Sequence, residues 1–167
     1  MARLDAHFDE AKPNPLDQLE KIVTANQWLF ERNSDDEMVL SIGGAQTQYH
    51  MWFGWHDEMG ALELRSAIDV TVPERRYTEL TEVLARINTE LWIGHFEYNP
   101  NQPGIVFRHT LLSGGVGGLQ ASELETLVSV ALASCDRCYP AFMLMLWGGR
   151  KPADAVAAAM LETVGEA

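Results

Sequence analysis

Residues 38–55 read MVLSIGGAQTQYHMWFGW, and their two-residue rhythm decides the fold. Successive side chains of a strand point to opposite faces, so a period of two marks a sheet with one buried side. Met38, Leu40 and Ile42 alternate with smaller or polar residues, and Gly43-Gly44 permits the reversal into a second strand. In that strand Tyr49, Met51, Phe53 and Trp55 share one face, which leaves His50 and Trp52 on the other. After a turn at Asp57-Glu58-Met59-Gly60, Leu62, Leu64, Ile68 and Val70 face inward while Glu63, Arg65 and Asp69 face outward. Connections this short join antiparallel neighbours, so the segment is a three-stranded meander.

Helical spacing flanks the meander. Asn14 caps a helix with Pro15 at its first position and Asp17 at its positive end, and Leu16, Leu19, Ile22 and Val23 carry it to about Trp28. Asn33 to Asp36 form a turn. Pro73 opens a second helix with Tyr77, Leu80, Leu84, Ile87 and Leu91 in a stripe. Phe96 and Tyr98, the Asn99–Gly104 turn, and Ile105, Phe107 and Leu111 make a hairpin. The run Gly114-Gly115-Val116-Gly117-Gly118 breaks structure before a last long helix, where Ser122 and Glu125 form a capping box. Leu124, Leu127, Val128, Ala131, Cys135, Cys138, Tyr139 and Phe142 line that helix. Pro140 should kink it, and Gly148-Gly149 ends it before a short helix from Pro152. The expected fold is α+β: a twisted antiparallel five-stranded sheet with helices packed on it. Its order is α-β-β-β-α-β-β-α plus a short C-terminal helix. Residues 1–13 read as a loose leader and 14–167 as one domain; 167 residues supply one well-buried core.

Acidic residues number 24 against 12 basic ones, for a formal net charge of −12. The tightest basic groupings, Arg75-Arg76 and Arg150-Lys151, are pairs and not stripes, which argues against nucleic acid and anionic membranes as partners. Two cysteines, both on the apolar helix, make no disulfide framework and fit a reducing compartment. The first fifteen residues lack the apolar core of a signal peptide, and no run approaches the ~18 apolar residues of a membrane span. The expected location is the cytoplasm.

One constellation imitates an enzyme. His95, Glu97, Cys135 and Cys138 have the residue types of a zinc deaminase, in which His and Cys hold the metal and Glu shuttles protons. That chemistry needs His and Glu at a helix start and a proline before the first cysteine. Here His95 and Glu97 alternate on a strand, and Ser134 precedes Cys135. Small core residues are the plainer reading of the two cysteines. His7, His50, His56 and His109 show no helical i, i+4 pairing for a metal. The glycine run lacks the Gly-Lys-Ser/Thr ending of a phosphate loop, and no serine sits in a nucleophile elbow. No cofactor, metal or catalytic residue is expected. Trp52 is the more informative residue: parity puts it on the outer sheet face with Val39 and Val106, and an exposed aromatic there marks a protein-binding surface unless the tail helix covers it.

The run Tyr139-Pro140-Ala141-Phe142, then Leu146-Trp147-Gly148-Gly149 and Pro152, resembles the hallmark of the YbjN family, as does Gly94-x-Phe96-x-Tyr98 before the hairpin. The similarity spans residues 14–165. Lys151 stands where a serine or threonine cap is expected, and Ala153-Asp154 replaces an acidic pair. The resemblance implies a fold like type III secretion chaperones and a role as a bacterial sensory transduction regulator, and it brings no catalytic residues. The function expected is therefore a non-enzymatic, protein-binding regulatory module. A two-fold homodimer is also expected, the commonest soluble oligomer. The alternative is a small zinc-dependent enzyme using His95, Glu97, Cys135 and Cys138.

Overall fold

The computed structural model describes residues 13–102, 104–114 and 117–162. The leader up to Lys12, His7 within it, Pro103, Gly115, Val116 and the last five residues lie outside the described residues.

Helix α1 spans Pro15–Ala25, with the Leu16 N–H donating to Asn14 Oδ1 at 2.9 Å, the cap that Asn14 and Pro15 foretell. Strands β1 (Leu29–Ser34), β2 (Glu37–Gly43), β3 (Gln48–His56) and β4 (Ala61–Ile68) follow. Helix α2 (Tyr77–Glu90), strands β5 (His95–Tyr98) and β6 (Ile105–Leu112), and helices α3 (Ala121–Leu146) and α4 (Pro152–Glu162) complete the order.

The strands form one antiparallel sheet in the order β1-β2-β3-β4-β6-β5. Six strands replace the five expected, and the meander has four. The extra strand is β1, which lies where helix α1 was expected to continue and the turn to begin. Asn26 caps α1, and Gln27 turns the chain with φ of 57°, a left-handed conformation that glycine or asparagine usually supplies. Leu29 and Glu31 on β1 are exposed, so no buried alternation advertises the strand.

Parity otherwise holds. Tyr49, Met51, Phe53 and Trp55 are buried on the inner face, with Met38, Leu40, Ile42, Leu62, Leu64, Ile105 and Phe107. All four helices contribute buried residues to this one core, so they stack on the inner face of the sheet. Phe96, Phe107 and Phe142 meet edge-on, at 5.3 Å between ring centroids for each pair with Phe96. Gly94 is required beside them: its φ is 71°, and a Cβ there would collide with Phe107 Cζ.

Helix α3 runs unbroken through Pro140. Its box lies two residues earlier than expected, with the Gln120 N–H donating to Glu123 Oε2 at 2.7 Å, because the helix starts at Ala121. Contrary to the sequence reading, its 26 residues meet the length and composition of a membrane span. Here Leu124, Leu127, Val128, Ala131, Phe142 and Met145 are buried in the core. Helix α4 packs on α3 and α2, and thus not over the outer sheet face.

Candidate functional site

The outer sheet face carries a continuous cross-strand row: Glu31, Val39, Trp52, Arg65, Arg108 and His95 lie opposite one another from β1 to β5. Trp52 occupies the third place. Its indole lies over Gly54, where a Cβ would collide with the indole Cη2, so only glycine lets the ring settle on the strand. Arg65 Cζ stands 5.4 Å from the Trp52 ring centroid, within reach of cation–π attraction.

The neighbouring row, Glu37, Gly54, Glu63 and Thr110, places a carboxylate beneath these long side chains. Glu63 is 5% exposed although it points away from the core. Arg65 Nε donates to Glu63 Oε1 at 2.8 Å, Arg108 Nε lies 2.6 Å from the same oxygen, and His56 Nε2 is 3.3 Å from Oε2. Burial alone would raise the Glu63 pKa. The hydrogen bonds from Arg65 and His56, with the charges of Arg65 and Arg108, outweigh it and hold the carboxyl below its ordinary value. Arg108 also reaches Glu97 at 3.8 Å, and Glu97 in turn faces His95 at 3.5 Å. The face is thus an indole set into a linked network of charges.

Val39 and Trp52 share that face and are direct cross-strand neighbours. Val106 shares their face but lies in the row with Ala67 and His50, and Arg65 stands between it and Trp52. Sequence reasoning missed the network of Glu63, Arg108 and His56. Outward parity marked Glu63 and Arg65, but the link to Arg108 needs β4 to pair with β6 across helix α2, and no local signal carries that.

The zinc constellation does not assemble. His95 and Glu97 flank the inward-facing Phe96, so they lie on the outer face. Cys135 and Cys138 are fully buried on α3, on the opposite side of the sheet. Cys135 Sγ meets Ser66 Oγ at 3.5 Å, and burial pushes both thiols up to about 12, far from the thiolate that a metal binds. Among the described residues no three His, Cys, Asp or Glu converge on one point. Asp136, between the cysteines, ties the β2–β3 turn to α3. Its carboxylate accepts from the Ala45 N–H at 2.9 Å, the Gln46 N–H at 3.2 Å and the Tyr49 hydroxyl at 2.9 Å.

The family YbjN, described as "Putative bacterial sensory transduction regulator", matches residues 15–143 of the chain. A solved structure described as "YbjN, a putative transcription regulator from E. coli" shares the fold, with a TM-score of 0.51 and 13% sequence identity. The alignment covers 71% of this chain and 84% of that one. No curated protein sequence matches.

Proposed function

This chain belongs to the YbjN family, and from that premise we propose that it is a non-enzymatic regulatory module that binds another protein through the open sheet face around Trp52. The observation that carries this reading is the placement of Trp52 in one row with Val39 and Arg65, on the face opposite the helices. Tryptophan and arginine are the residues most enriched at binding hot spots, since each combines large contact area with a polar handle. A partner segment with an apolar side chain for the indole and polar groups for the Arg65–Glu63–Arg108 network would match the face. In this reading the module is cytoplasmic, chaperone-like and a homodimer.

A partner captured from the native cytoplasm and titrated against Trp52→Ala tests the proposal. Loss of the anchor weakens association by about 2 kcal/mol. Folding stability falls by only about 1 kcal/mol, the scale of the cation–π contact removed. A loss of several kcal/mol in folding with unaltered binding would make Trp52 a structural residue and sink the reading.

A further inference from the structure

We infer that two copies of this chain pair by reciprocal insertion of Trp92, each indole entering a groove of the other subunit between β6 and the first half of α3. This deepens the homodimeric reading above by giving the pair its interface.

Trp92 is 99% exposed, so the largest apolar side chain of the α2–β5 connection makes almost no contact within its own subunit. The next residue, Ile93, lines a groove of about 270 Å³ whose other walls include Leu111, Leu127 and Val130, with His109 and Thr126 among its polar groups. A cavity of roughly 150 Å³ holds a benzene ring, so this groove has room for an indole. Knob and hole are therefore adjacent on one patch. A two-fold interface demands that, because the same surface must serve as both donor and acceptor.

The area suits a weak pair. An aromatic side chain buries roughly 150–250 Å². Two tryptophans and the groove surfaces that receive them bury roughly 600–1,000 Å², the size of a weak, transient interface. Ile93, 41% exposed, adds apolar surface at the rim of the groove. Each subunit carries a net charge of −12. Added salt should therefore tighten the pair by screening their repulsion.

Sedimentation equilibrium on the full chain tests the pairing. The wild type should dimerise at tens of micromolar. Trp92→Ala removes the knob, and Thr126→Arg blocks the groove at a position exposed enough to leave the fold intact. Each variant alone should dimerise at least tenfold more weakly, with the wild type's melting temperature at concentrations where all are monomeric. Their mixture should regain heterodimer, because the knob of one still fits the groove of the other. A wild type that stays monomeric overturns the dimeric reading and this interface with it. A Trp92→Ala protein that dimerises like the wild type, or a mixture no tighter than its parts, overturns the interface alone.

Discussion

Arg108 Nε on β6 lies 2.6 Å from Glu63 Oε1 on β4, joining two strands that a whole helix separates in the chain. With Arg65 and His56 it leaves Glu63 a charged group that is 5% exposed on the outer face of the sheet. Glu63→Gln keeps the shape and removes the charge, leaving two arginines side by side. The expected cost at neutral pH is about 1.5–3 kcal/mol, the usual worth of hydrogen bonds to a charged group. The pH dependence has a definite sign. The folded carboxyl titrates below its ordinary 4.5, so its contribution is complete above that value and fades as pH falls through the folded pKa. Urea unfolding of wild type and Glu63→Gln should differ at pH 7 and converge in acid. A gap that stays unchanged throughout the acid titration would show that the ionised carboxylate is not the source.

The cysteines give a second prediction, at the alkaline end. Burial raises both thiols from 9.0 to about 12, and the Ser66 contact at Cys135 and the Arg137 charge at Cys138 offset this only in part. The unfolded chain releases these protons as pH rises above about 9, and the folded chain does so only towards 12. Stability is therefore lost between the two values. Replacing both cysteines by alanine should cost about 1 kcal/mol each at neutral pH and flatten the alkaline decline. A thiol reagent at pH 8 should label neither residue until denaturant is added. Rapid labelling of the native protein would contradict this burial.

Much of the fold was legible in the sequence, and the rest was not for identifiable reasons. Alternation along residues 38–55 places Trp52 opposite Tyr49, Met51 and Phe53 because a strand has no other way to arrange them. Strand β1 escapes because the apolar run Trp28-Leu29-Phe30 continues smoothly from a helix, and the turn between them rests on a glutamine. The Glu63 network escapes because its members come from strands that only the β4–β6 pairing brings together. The mimicry of a zinc site dissolves on the third dimension: residues that look alike in spacing lie on opposite sides of one sheet.

The last prediction concerns how helix α3 holds the sheet. The Tyr49 hydroxyl donates to Asp136 Oδ1 at 2.9 Å, and the same carboxylate gathers the Ala45 and Gln46 N–H groups of the β2–β3 turn. Burial first, then the bond and the charge of Asp136, push the Tyr49 pKa far above its ordinary 10.0, so the hydroxyl remains a donor throughout the working pH range. Gly44 closes the arrangement: a Cβ there would run into both Tyr49 Cε2 and Asp136 Oδ1. Asp136→Ala should cost about 2 kcal/mol, since three donors lose a charged acceptor, and Tyr49→Phe about 1 kcal/mol. If the carboxylate acts on the turn partly through Tyr49, the two losses overlap, and a double-mutant cycle should return a coupling of about 1 kcal/mol. Losses that add to within about 0.3 kcal/mol, the error for independent sites, would mean that the hydroxyl bond contributes nothing and that Asp136 serves the turn backbone alone.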